Sequence, residues 1–134
     1  MNKSILFFIL PLITLLSCSI QESPSLGEQI IGSWKLNYIN QLKDSQNIVL
    51  QNGNSTFEFQ TNSVIIKGDT YLHDSGKYSY VISNENYFNP QVAEPKNTIL
   101  VLGNQKYILE VDYDSQNMFL TNYTNGKIKY HFSK

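Results

Sequence analysis

The sequence predicts an all-β domain, a small antiparallel up-and-down meander closed into a β-barrel of about eight strands. Three observations carry this expectation. Apolar and polar residues alternate with a period of two in short runs from residue 30 to the C-terminus. Pairs such as Asn52-Gly53 and Asn125-Gly126, which suit two-residue type I′ hairpins, fall between the runs. After Ile31 no window of useful length carries an apolar stripe at helical spacing.

In chain order, a helical turn over Leu26–Ile31 leads into a first strand at Gly32. There Trp34, Leu36 and Tyr38 alternate with Ser33, Lys35 and Asn37. Ile48–Leu50 is a short run, and Phe57 with Phe59 forms the next alternating one. Val64–Ile66 follows, then Tyr78, Tyr80 and Ile82, then Ile99–Leu102. Tyr107, Leu109, Val111 and Tyr113 share one phase, Met118–Leu120 makes a short strand, and Ile128, Tyr130 and Phe132 close the chain. Gly68-Asp69, Asp74-Ser75-Gly76 and Gly103-Asn104 are further turn signals. A sheet of this size with one apolar face buries that face by curling closed. The one long connection, Ser83–Asn97, lacks alternation and contains Tyr87-Phe88, Pro90 and Pro95. Loops of this length often serve as lids or binding loops.

Length and charge narrow the function classes. The 134 residues suffice for one domain. Ten Lys, no Arg and 11 acidic residues give a net charge of -1, which argues against a nucleic-acid partner. A single Cys excludes an internal disulfide and a multi-Cys zinc site. Apolar content of 41% excludes a wholly disordered chain.

The N-terminus reads as an export signal. Lys3 precedes an apolar run from Ile5 to Leu16, too short for a bilayer span of about 20 residues. Leu15-Leu16-Ser17-Cys18 resembles a bacterial lipobox: an aliphatic residue three places before the Cys, a small residue next to it, then the Cys. The resemblance implies that residues 1–17 are a lipoprotein signal peptide and that Cys18 carries diacylglycerol and an amide-linked chain such as palmitate. Two or more chains hold a protein on a membrane stably. Residues 18–29, polar with Pro24 and Gly27, are then the lipid anchor and tether, and residues 30–134 the barrel. Ser19 after the Cys resembles an outer-membrane sorting signal, which places the chain in the cell envelope.

No catalytic residue, cofactor or metal is expected. His73-Asp74-Ser75 holds the residue types of a triad, but strand neighbours point to opposite faces and cannot form one among themselves. His73 with Asp69 and Asp74 reads as an exposed turn rather than a cation site. Two His are too few for a His₃ centre, and His131 shares the polar phase of Lys127 and Lys129. Glu110, Asp112 and Asp114 read as a solvated outer stripe facing such lysines.

Aromatics carry more information. Tyr38, Phe57, Phe59, Tyr78, Tyr80, Tyr107, Tyr113, Tyr130 and Phe132 fall on the inferred inner face. They either pack on one another to close the barrel or line a partly wet cup, since a buried Tyr hydroxyl needs a partner. Tyr78, Tyr80, Tyr87, Phe88 and Tyr107 are the candidate contacts for a ligand or partner.

Gly32-Ser33-Trp34, with Ile31 before it and Lys35-Leu36 after it, resembles the opening of the lipocalin-like (calycin) barrels. The later layout, Ser55–Phe59, then Ser75–Tyr80, then a terminal hairpin, is similar to that of small lipocalin-like lipoproteins of Bacteroidetes-type bacteria, over Gln29–Lys134. The resemblance implies that Trp34 packs across a closed barrel end. It also implies a membrane-anchored lipoprotein that binds a small apolar or amphipathic ligand. The alternative is a protein-interaction lipoprotein without ligand, an envelope assembly factor or hydrolase inhibitor. One departure stands out. In those barrels an Arg near the last strand stacks on the Trp, whereas this chain has no Arg and Lys129 alternates with the apolar face.

Overall fold

A computed structural model describes residues 23–43, 46–51, 54–68, 72–85, 96–124 and 126–134. One short helix, α1 (Leu26–Ile30), precedes nine strands: β1 (Gly32–Lys43), β2 (Gln46–Gln51), β3 (Thr56–Phe59), β4 (Ser63–Lys67), β5 (Gly76–Glu85), β6 (Asn97–Leu102), β7 (Gln105–Asp112), β8 (Asn117–Asn122) and β9 (Ile128–Ser133). Among the described residues, no helix is long and apolar enough to cross a membrane.

Local chemistry starts the domain. The Glu28 carboxylate accepts hydrogen bonds from the Ser25 backbone N–H (2.8 Å) and hydroxyl (2.7 Å), bracing the first turn of α1. Ile30 is fully buried and Leu26 packs on the core, so α1 belongs to the folded unit. Gly32 then takes φ +117°, a region L side chains rarely enter.

All strand pairings are antiparallel, and β3 to β9 follow one another as a meander. The pairing of β1 with β9 closes the sheet into a barrel. One edge of β1 meets β9. Its other edge meets β3 over Gly32–Lys35 and β2 over Tyr38–Lys43. Strands β2 and β3 thus lie in line as one stave, which makes the barrel eight-stranded. A hairpin at Asn52-Gly53 does not fit this arrangement. Those two residues lie outside the described ones, and the strands on either side of them run the same way along β1. The Asn125-Gly126 expectation also changes. The last β8–β9 pair is Thr121↔Lys129, and the Gly126 N–H bonds the Asn122 carbonyl at 2.9 Å, a longer loop than a two-residue turn. Asn125 itself is outside the described residues.

The inner face follows the alternation, with two corrections. Trp34, Leu36, Phe57, Phe59, Val64, Ile66, Tyr80, Leu100, Leu102, Tyr107, Leu109, Met118, Leu120, Tyr130 and Phe132 belong to one contiguous core. Tyr38 faces outward instead. The β1–β9 register slips between Leu36 and Tyr38, so the extra residue Asn37 reverses the phase and sends Ile39 (2% exposed) inward. Tyr113 is 50% exposed because β7 ends at Asp112 and Tyr113 starts the turn to β8.

Outside the barrel, Tyr38, His131 and Phe119 stack in one row across β1, β9 and β8, with ring centroids 4.4 and 4.7 Å apart. Lys129 lies 4.5 Å above the Phe119 ring and pairs with Glu110 at 2.7 Å. The strand β5 reaches Glu85 and pairs there with Asn97, so the long connection begins after Glu85 rather than at Ser83.

Strand β5 is also staggered. Gly76–Ser79 pair with β4, whereas Tyr80–Glu85 pair with β6. The Tyr80 N–H reaches the Asn62 carbonyl at 3.3 Å. Backbone groups alternate sides along a strand, so those of Ile82 and Asn84 point the same way. They face an edge with no strand beside it among the described residues.

Candidate functional site

The meander gives the barrel two chemically different ends. At one lie α1, the β3–β4 turn, the β7–β8 turn, the ends of the β5–β6 connection and the C-terminus. The opposite end holds the β4–β5 segment, the β6–β7 turn and the β8–β9 loop.

Trp34 closes the α1 end. It is 1% exposed, and its indole N–H donates to the Ile30 carbonyl at 2.7 Å. The Lys134 ammonium sits 4.6 Å above the indole ring. Its other bonds go to the carbonyls of Ile31 (2.8 Å) and Gln29 (3.3 Å). The last residue of the chain therefore ties the start of β1 to the end of β9. Sequence reasoning missed Lys134 and weighed only Lys129. The signal was present: Tyr130, Phe132 and Lys134 share one phase, so the cation is in step with the inward face.

A polar–aromatic mouth occupies the opposite end. The buried Leu72 holds the 72–75 segment against the barrel and sets His73 beside the inner strands. The His73 ring lies 5.1 Å from that of Tyr78 and 6.1 Å from that of Tyr107. Its Nε2 is 3.4 Å from the Tyr107 hydroxyl, which donates to Gln105 Oε1. Tyr130 meets Tyr107 edge-on at 6.1 Å, and the Tyr78 hydroxyl donates to the Asp74 carbonyl at 2.8 Å. Beside Gln105, a groove of about 540 Å³ is lined by Asn104, Lys106, Asn122, Tyr123 and Thr124.

Burial sets the protonation at this mouth. It lowers the His73 pKa below the ordinary 6.5, partly opposed by the Asp74 charge, so the imidazole is neutral at pH 7. It raises the phenols of Tyr107 and Tyr130 above 10, so both remain protonated. The result is a set of neutral donors and acceptors on an aromatic floor. Such a surface suits hydrogen bonding to a polar head group while rings contact an apolar body. His73 is thus half-buried and engaged, not part of an exposed turn. The Ser75 hydroxyl donates to the Gly68 carbonyl at 3.0 Å and is not directed at His73.

The aromatic candidates separate. Tyr78 and Tyr107 meet at the mouth through His73. Tyr80 does not join them; its ring packs on Phe59 and its hydroxyl donates to the Gln60 carbonyl at 2.6 Å, toward the α1 end. Tyr87, Phe88, Asp69 and Cys18 lie outside the described residues. The strands that flank Tyr87 and Phe88 place both ends of their loop at the α1 end. Among the described residues no group of three or more His, Cys, Asp or Glu converges as a metal site.

No protein-family model, curated protein or solved structure matches the chain. The structure itself defines the class: a closed eight-stranded antiparallel up-and-down β-barrel.

Proposed function

We propose that this chain is a membrane-anchored bacterial lipoprotein whose lipocalin-like barrel binds a small amphipathic ligand at the mouth formed by His73, Tyr78, Gln105 and Tyr107. The observation that carries this reading is the neutral, hydrogen-bonding aromatic cluster at one barrel end, with a polar groove beside it. Side chains from every stave meet in the lumen as one core, which favours binding at the mouth rather than deep inside. The Gly32–Trp34 opening and the Lys134 cation over the indole support the lipocalin-like resemblance, with Lys in the role that an Arg plays there. Anchoring at Cys18 fits the geometry, because the chain enters at α1 and leaves the mouth at the far end.

Titration with a dansyl-labelled fatty acid tests the ligand reading. Saturable fluorescence enhancement is expected, weakened severalfold in His73→Ala and in Tyr107→Phe, whose buried hydroxyl orients Gln105, as loss of one hydrogen bond of about 1 kcal/mol implies. No saturable binding by the wild-type protein, or binding unaffected by both variants, rejects it.

The edge of β5 that no described strand covers favours a second reading, a protein-interaction role by strand addition at Ile82 and Asn84. Asn84→Pro removes an N–H that no described strand uses and is expected to preserve the fold while abolishing crosslinks to an envelope partner. Equal crosslinking in that variant excludes this mode.

A further inference from the structure

The large apolar side chains exposed among the described residues are Ile31, Val81 and Tyr113, at 39%, 62% and 50%. Their placement is one-sided. Ile31 leaves α1, and Tyr113 stands in the β7–β8 turn at the same barrel end. Val81 lines, together with Ile31, Gly27, Glu28 and Ile82, an apolar groove of about 440 Å³ between α1 and β5. The opposite rim is polar, with Asn104, Gln105 and Thr124 exposed.

The anchor proposed above fixes what can reach this face. Ser25 lies on the groove and is seven residues after Cys18. Seven extended residues span at most about 25 Å. Acyl chains inserted at Cys18 therefore keep the α1 end within that distance of the membrane surface. A Tyr flanked by aliphatic side chains is the composition found at bilayer interfaces, where an apolar body meets a wet head group.

Charge selects the kind of surface. Asp112 and Asp114 flank Tyr113, and Glu28 lines the groove. Of the cations at this end among the described residues, Lys134 is held against Trp34 and two carbonyls, which leaves the exposed Lys96 against these three acids. A zwitterionic surface suits this face better than an anionic one.

We infer that the α1 end of the barrel, through Ile31, Val81 and Tyr113, seats on the zwitterionic head-group layer of the membrane that holds the Cys18 acyl chains. This rests on the lipoprotein reading. The seat turns the tether from a spacer into a short strap and directs the His73–Tyr107 mouth away from the bilayer.

The test uses the full lipidated chain in phosphatidylcholine nanodiscs doped with a gadolinium-headgroup lipid. Amide signals of Ile31 and Tyr113 should broaden severalfold more than those of Gly103 and Thr124. Replacing a third of the lipid by phosphatidylglycerol should reduce that contrast. The triple variant Ile31→Ser/Val81→Ser/Tyr113→Ser should abolish it, with unchanged Trp34 emission showing that the fold is kept. If the triple variant unfolds, Tyr113→Ser alone, in an exposed turn, should lower the contrast. Uniform broadening, broadening centred on Gly103, or a contrast that survives the substitutions overturns the seat. Protection of the Ile82 and Asn84 amides by a protein strand, without lipid broadening, also overturns it. A mass spectrum of the same sample reports the anchor separately. An unacylated Cys18 overturns both readings, whereas an acylated chain with uniform broadening overturns the seat alone.

Discussion

Trp34 shows how much one side chain can organise. Its ring fills the α1 end, its N–H satisfies the last carbonyl of α1, and its outer face receives the Lys134 cation. Truncating a buried Trp costs about 3–5 kcal/mol, against a typical domain stability of about 5–15. Trp34→Ala should therefore leave little or no folded protein by urea denaturation, whereas Lys35→Ala, exposed on the same strand, should change stability by less than about 0.5 kcal/mol. Lys134→Met retains the aliphatic cover but removes the cation and its two hydrogen bonds. A loss of about 1–2 kcal/mol is expected, with a change in emission from the single Trp. His131 is the opposite case. It is stacked between Tyr38 and Phe119, and its buried Nδ1 has no hydrogen-bond partner among the described residues. Burial and the nearby Lys129 charge lower its pKa, as burial does for His73. The unfolded chain takes up these protons first, so stability should decline as pH falls from about 7 through 6.5 and level off below the folded pKa values. Glu85 and Asp112, whose carboxyls are held low by Lys106 and Ser115 respectively, contribute stability that is lost only at lower pH. His131→Phe should flatten the upper part of the profile and leave stability at pH 7 unchanged or raised by about 1 kcal/mol. A steeper slope in that variant would contradict the assignment.

Among the elements, β1 and the β4–β5 connection carry the departures from regular alternation. The bulge at Asn37 reverses the phase of β1 and lets a single twelve-residue strand pair with β3, β2 and β9. The Asn37 side chain bridges it by donating to the Ser133 hydroxyl at 2.9 Å. Deleting Asn37 should remove the bulge and leave Leu36 inward, Tyr38 outward and Ile39 inward in strict alternation, so the barrel should still fold, with a urea midpoint lowered only by loss of the Asn37–Ser133 bond, about 1 kcal/mol. Gly68 serves the next connection. Its φ is +90°, and an added Cβ would lie 2.1 Å from the Asn54 carbonyl oxygen. Backbone cannot yield as a flexible side chain can, so Gly68→Ala combines a steric clash with a strained φ. A loss of about 2 kcal/mol or more is expected, measurable by thermal unfolding, while Gly27→Ala, with open space around it, should be nearly neutral.

At the scale of the molecule, closure decides cooperativity. Pairing β1 with β9 joins the first and last strands, so no stave can leave without opening an edge. Far-UV circular dichroism and Trp34 fluorescence should therefore report coincident unfolding transitions. Refolding should fall in the millisecond-to-second range of domains dominated by non-local strand pairs. A separate early transition by either probe would show that closure is not cooperative. The ends divide the work: α1, Trp34 and Lys134 seal one, and His73, Tyr78 and Tyr107 shape the other.

The sequence by itself determined the all-β class, the strand count and most of the inner face. Period-two patterning and turn residues are local, and a sheet with one apolar face has few ways to bury it. Helix α1 and the inward phase of Trp34, Phe57, Tyr107 and Phe132 were legible for the same reason. What only the tertiary structure decided are features that depend on which strands meet. The Asn37 bulge appears only against β9, because one extra residue leaves no local mark. The in-line β2 and β3 require β1 as a common partner, although Asn52-Gly53 alone favours a hairpin. The site was half legible. Tyr78 and Tyr107 were found by phase, but His73 belongs with them only because Leu72, distant in sequence from β7, is drawn into the core. Lys134 reaches Trp34 from the other end of the strand sequence, β9 to β1, a contact that exists only once the barrel has closed.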